Sequence, residues 1–166
     1  MNKLKEIRRQ VTLFIGNQAK VIEHIRAEFN PLQFHLIPAH VTLCRENEIE
    51  PLEKLIANLR SIKWSKPLKI EFDQIERFAN GKGVLMPAKS HNPEFDKLRE
   101  GVLKELNYPP GKHQAHITLM HPRNSTCTDH IFEHLMQFKL PTELYFHKIS
   151  LIGQRNDSKW FIIEQF

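Results

Sequence analysis

The feature that most constrains this chain is an internal repeat, in which the order strand, helix, strand, helix, strand runs twice. VTLFIG at 11–16 has the β-branched and aromatic content of a strand. Residues 18–29 carry Val21, Ile22, Ile25 and Phe29 at helical spacing. HVTLC at 40–44 is a second strand, and Leu52, Leu55, Ile56 and Leu59 form the stripe of a second amphipathic helix. LKIEFDQIERF at 68–78 reads as one long strand. The order restarts after a turn at Asn80–Gly83, with GVLMPA at 83–88 as a strand whose Pro87 marks an edge or an end. Asn92 followed by Pro93 opens a helix whose apolar stripe is Phe95, Leu98, Val102, Leu103 and Leu106. HITLM at 116–120 is the next strand, and Thr128 caps a helix carrying Ile131, Phe132, Leu135 and Phe138. ELYFHKISLIG at 143–153 is again a long strand, and KWFIIEQF at 159–166 closes the chain. With 166 residues and no Ser/Gly-rich linker, the expectation is a single domain, 1–166. It is built from two pseudo-symmetric halves, about 11–78 and 83–155, with a closing strand at 159–166.

Each half places the same tetrapeptide on its second strand: His40-Val41-Thr42-Leu43 and His116-Ile117-Thr118-Leu119. A shuffled chain of this composition holds about 0.04 such tetrapeptides, so a pair arises in roughly one shuffled sequence per thousand. Strand side chains alternate faces, so histidine and threonine point one way and the two apolar residues the other. If the halves meet about a pseudo-twofold axis, two imidazoles and two hydroxyls converge on one groove. That set suits a phosphodiester or a cyclic phosphate. A neutral imidazole can take a proton from the attacking oxygen while a charged one supplies the departing oxygen. Threonine hydroxyls can hold the non-bridging oxygens. Neither a metal nor a cofactor is needed for this chemistry.

With these motifs the chain resembles the two-histidine (2H) phosphoesterase superfamily, in particular its 2′-5′ RNA ligase-like and cyclic phosphodiesterase members. Both copies carry alanine before the histidine (Ala39 and Ala115), where many members have proline. The resemblance implies an α+β class, a duplicated two-lobed fold with two mainly antiparallel sheets lining a central groove and helices packed outside. It implies catalytic roles for His40 as proton donor and His116 as proton acceptor, and phosphate-binding roles for Thr42 and Thr118. The implied substrates are RNA ends or small cyclic nucleotides bearing a 2′,3′-cyclic phosphate or a 2′-5′ linkage. Run in reverse, the same groups would ligate RNA. Two other readings stay open: a module that binds an RNA end or nucleotide phosphate without turnover, and a metal-dependent hydrolase.

Several residues carry a bland and a sharp reading together. Arg45, His121 and Arg123 follow the motif strands and are either rim contacts to substrate phosphate or solvated loop charges. Alternation would put Cys44 on the face of His40 and Thr42, and His113 and His121 lie near the second motif. No Cys-x-x-Cys or His-Glu-x-x-His pair accompanies them, so no metal site is expected. Phe14 and Phe78 fit core packing better than base stacking. The basic runs Lys3–Arg9 and Lys63–Lys69 read as solvated faces.

Composition narrows the setting. Lys and Arg exceed Asp and Glu by 24 to 19, a modest leaning toward a polyanionic partner. No apolar run approaches the roughly 20 residues of a membrane span, so no membrane partner is expected. MNKLKEIRRQ lacks the apolar region of a secretory signal. Cys44 and Cys127 are too few for a disulfide framework and point to a reducing, cytoplasmic setting. The protein is expected to be a monomer.

Overall fold

Alternating apolar and polar residues draw the chain into strands, and longer apolar stripes into helices that cover them. The computed structural model describes residues 7–107 and 111–166. Residues 3–6 of the first basic run, and 108–110 between the fourth helix and the second motif, lie outside the described residues. The first half runs β1 (Ile7–Phe14), α1 (Lys20–Phe29), α2 (Pro31–Leu36), β2 (His40–Cys44), α3 (Leu52–Ser61), β3 (Leu68–Glu71) and β4 (Glu76–Arg77). The second runs β5 (Val84–Pro87), α4 (Pro93–Val102), β6 (His116–Met120), α5 (Asp129–Leu135), β7 (Glu143–Phe146) and β8 (Ser150–Arg155), followed by β9 (Phe161–Gln165). The α+β fold holds two antiparallel sheets: seven strands in the order β4-β5-β6-β2-β1-β8-β9, and the pair β3-β7.

Both long strands expected from the sequence are broken. Residues 68–78 divide into β3, paired with β7, and β4, paired with β5. Residues 143–153 divide into β7 and β8, and β8 pairs with β1. The cause is a slip in the apolar phase. Leu68, Ile70 and Phe72 alternate and are buried, but the next buried residue is Ile75, an odd step away. Leu144 and Phe146 are followed at the same odd step by Ile149. An odd step turns the apolar set to the opposite face, so the chain must bend and continue in another sheet. As a result the end of each sequence half pairs with the first strand of the other half.

Three smaller differences have local causes. β1 begins at Ile7 rather than residue 11, because Ile7 to Thr12 pair with β8. Pro31, at the first helical position, starts the short α2, which has no buried residue and so no apolar stripe to reveal it. Helix α4 ends at Val102, where Leu103 caps it, so Leu103 and Leu106 pack from outside the helix.

The two motif strands lie side by side at the middle of the larger sheet and share one register pair, Val41 opposite Ile117. Each carries an irregularity at the same place. Thr12 faces Thr42 and Val11 faces Cys44, which leaves Leu43 as an extra residue. Leu85 faces Thr118 and Val84 faces Met120, which leaves Leu119 extra. A bulge of this kind puts two successive residues on nearly one side. Leu43 with Cys44, and Leu119 with Met120, are accordingly all buried. Cys44 therefore does not share the face of His40 and Thr42, as simple alternation would have it. Burial pushes its thiol up to about 12.

Candidate active site

With Val41 opposite Ile117, antiparallel alternation sets His40 across from Thr118 and Thr42 across from His116, on one face of the sheet. All four side chains are half-buried. They line one cavity of about 200 Å³ together with His121 and Arg123. Arg8 and Gln10, on the polar face of β1, join them there. A wider groove of about 810 Å³ shares Arg8, Gln10, Thr42 and His116 with this cavity and extends past Arg45 and Phe78.

The two motif histidines are held in the same way. His40 Nδ1 lies 2.8 Å from the carbonyl of Pro38, and His116 Nδ1 lies 3.1 Å from that of Gln114. A carbonyl only accepts, so in each ring Nδ1 carries a hydrogen and Nε2 is left with its lone pair when the ring is neutral. Gln10 Nε2 approaches His40 Nε2 at 3.4 Å and donates to the Thr12 hydroxyl at 2.8 Å. Burial pushes the His40 imidazolium down to about 4; the Pro38 carbonyl opposes the shift, and Arg26, His116 and His121 add to it. Burial also lowers His116, with the Gln114 carbonyl opposing and Arg45 assisting.

His113 and His121 are held the opposite way. The Arg45 Nε–H donates to His113 Nδ1 at 3.1 Å, and the Arg123 backbone N–H donates to His121 Nδ1 at 3.1 Å. In these two rings the hydrogen therefore sits on Nε2, and that of His113 donates to the Thr42 carbonyl at 2.7 Å. The His121 backbone N–H donates at 2.7 Å to Asn30, a buried side chain at the junction of α1 and α2.

The rim residues divide between the two hollows. Arg45 lines the wider groove beside His116 but is tied back, its second nitrogen donating to the Lys112 carbonyl at 2.8 Å. Phe14 and Phe78 are not in the core. Phe14 meets the His40 ring edge-on at 6.2 Å between centroids, and Phe78 meets the His116 ring at 5.8 Å. Gly83 admits Phe78: a Cβ there would lie 2.5 Å from the Met120 carbonyl and 2.8 Å from the Phe78 ring. Sequence reasoning also missed Arg8 and Gln10. Continuing the alternation of β1 backward from Thr12 would have found both. Among the described residues no group of three or more His, Cys, Asp or Glu is disposed to hold a metal ion.

Comparison with protein families matches residues 16–158 to the 2′-5′ RNA ligase superfamily. The chain belongs to that superfamily. Comparison with curated protein sequences finds no match. Among solved structures, Escherichia coli LigT in complex with 3′-AMP superposes with a TM-score of 0.62 at 14% identity, covering 96% of each chain. LigT in complex with phosphate gives 0.59 at 14%, covering 96% of this chain and 95% of LigT. TT0787 of Thermus thermophilus gives 0.58 at 16%, covering 96% of each chain. At these identities the likeness is one of fold. The superfamily supports a two-histidine phosphoesterase or ligase type of activity.

Proposed function

We propose that the chain is a metal-independent phosphoesterase acting on a 2′,3′-cyclic phosphate or 2′-5′ phosphodiester of RNA or a nucleotide. The observation that carries this reading is the matched bond from each motif histidine to the carbonyl two residues before it, which leaves Nε2 as the reactive nitrogen of both rings. In the hydrolytic direction a water oxygen forms its bond to phosphorus and its proton passes to His116 Nε2. The bond from phosphorus to the ribose 3′-oxygen breaks, and that oxygen takes the proton of His40 Nε2. Thr42 and Thr118 hold the non-bridging oxygens. His40 takes the donor role and His116 the acceptor role on the likeness to the superfamily. With a 5′-hydroxyl in place of water, the same transfers make a 2′-5′ linkage. His121 and Arg123 contribute phosphate contacts in the cavity, and Arg45 contributes one in the wider groove.

LigT is known in complex with phosphate, 3′-AMP, NADP+ and ATP, which supports a nucleotide phosphate as the ligand here. Two unpaired cysteines support a cytoplasmic setting. Among the described residues no helix is long and apolar enough to cross a membrane.

The test is incubation of an RNA ending in a 2′,3′-cyclic phosphate with EDTA present, the products being resolved by mass and phosphatase sensitivity. The expected product is a 2′-phosphate, with His40→Ala and His116→Ala each lowering kcat by about 10²–10⁴-fold while melting as wild type does. Wild-type rates in both variants would overturn the reading. Activity abolished by the chelator would point to a metal, and tight binding without product to a non-catalytic module.

A further inference from the structure

The two motif strands meet at only one register pair, Val41 with Ile117, so their ladder alone holds the halves of the site loosely in register. Beside that pair a third histidine spans the gap. His113 lies three residues before His116, yet its Nε2–H donates to the Thr42 carbonyl, inside the first motif, at 2.7 Å. Its Nδ1 accepts from Arg45 Nε at 3.1 Å, and Arg45 donates at 2.8 Å to the carbonyl of Lys112, the neighbour of His113. Phe95 of α4 stacks on the ring, with centroids 6.3 Å apart and planes 29° apart. The His113 and His116 centroids are themselves 6.4 Å apart.

We propose that His113 is a positioning residue, a neutral clamp that spans the seam between the two motifs and sets the separation of His40 and Thr42 from His116 and Thr118. The inference rests on the reading of this cavity as the reaction site. Its logic is that of register. The ring gives one hydrogen to the first motif and accepts one from an arginine anchored beside the second, and only the neutral Nε2–H form does both. Burial keeps the imidazolium unfavourable, with Arg99 and Arg45 adding to the effect and the Thr42 carbonyl opposing it. In-line transfer between two imidazoles needs their separation held closely, and a shift of about 1 Å lowers rates by about 10²-fold.

The clamp predicts an unusual pattern of rescue. His113→Gln carries an amide N–H for the Thr42 carbonyl and an amide oxygen for Arg45, whereas His113→Phe carries neither. We expect His113→Phe to lower kcat about 10²-fold with a smaller change in KM, and His113→Gln to stay within a few-fold of wild type. Equal losses in both variants, or none in either, would overturn the clamp.

Two measurements stand apart from turnover, and the first of them also from variant folding. In wild type, long-range proton–nitrogen NMR should show the His113 ring neutral and protonated at Nε2 at pH 7; a charged or Nδ1-protonated ring would overturn the proposal. With inorganic phosphate as the probe, the His40 and His116 rings should titrate with one midpoint in wild type and His113→Gln. In His113→Phe that midpoint should move to about tenfold higher phosphate concentration. An unmoved midpoint in His113→Phe would overturn the clamp while leaving the reading of the site intact. Absence of turnover in wild type, with the phosphate response and its shift as expected, would overturn the reading and leave the clamp.

Discussion

At His40 and His116 one short contact to a preceding carbonyl leaves the lone pair on Nε2, and burial then sets how readily it holds a proton. With His40 pushed down to about 4, the free protein carries this proposed donor neutral at pH 7. An anionic phosphate in the cavity reverses part of that shift, because a nearby negative charge favours the imidazolium. The expected outcome is that kcat/KM, which reports the free protein, peaks in the acid range and falls once both rings are neutral, while kcat persists to higher pH. Coincident profiles for the two between pH 4 and 9 would contradict it. Stability follows the same sign. The folded pKa of His40 lies below the ordinary histidine value of about 6.5, so its contribution is complete above that pH and is lost as pH falls toward 4. Thermal melts should therefore drop over that interval, less steeply in His40→Asn and less steeply again with phosphate present.

Among the elements, the bulges decide what a motif strand presents. An uninterrupted β2 would turn Cys44 toward the cavity, but the extra residue Leu43 turns it into the core. Strand β6 repeats this with Leu119 and Met120. The hairpin joining β4 to β5 acts at a second point, where Gly83 lets Phe78 reach His116. Gly83→Ala would force a Cβ against the Met120 carbonyl and the Pro122 ring at 2.7 Å. Overpacking of this kind destabilises by about 1–3 kcal/mol. We expect a lower Tm with a shifted His116 ring resonance as Phe78 moves, and an unchanged melt would contradict this. The odd steps from Phe72 to Ile75 and from Phe146 to Ile149 belong to the same scale. They are visible in the chain as written, but a reading that scores apolar content rather than phase passes over them.

Across the whole molecule, the halves are joined by more than the central pair of strands. The last strand of each half pairs with the first strand of the other. Arg99 of α4 reaches into the first half, donating to the Leu43 carbonyl at 2.8 Å and to Glu48, and back to the Gly111 carbonyl at 3.1 Å. Leu43 is the bulged residue, so this guanidinium satisfies a carbonyl that the β1 ladder passes by. Burial alone would raise the Glu48 carboxyl, but Arg99 and the Arg45 N–H hold it below the usual carboxylate range. Removing one partner of such a pair strands the other, which costs about 3–5 kcal/mol. Arg99→Met should accordingly lower the Tm sharply, and Arg99→Met with Glu48→Leu should recover part of the loss. A double variant that melts below the single one would contradict the assignment.

The repeat, the four motif residues and the family they resemble were legible in the sequence, because alternation along a strand is a local property that residues 40–43 and 116–119 carry within themselves. So were the helix starts at Pro93 and Thr128, whose signals are equally local. What the tertiary structure alone decided depends on partners far along the chain. Phe14 and Phe78 looked like core until the register set one opposite His40 and the hairpin set the other against His116. His113 looked like a spare ligand until β2 brought it the Thr42 carbonyl. The tautomers of four histidines, on which the proposed chemistry turns, follow from whether a carbonyl or an N–H meets each Nδ1. For His113 that neighbour is Arg45, 68 residues away, a contact that only folding creates.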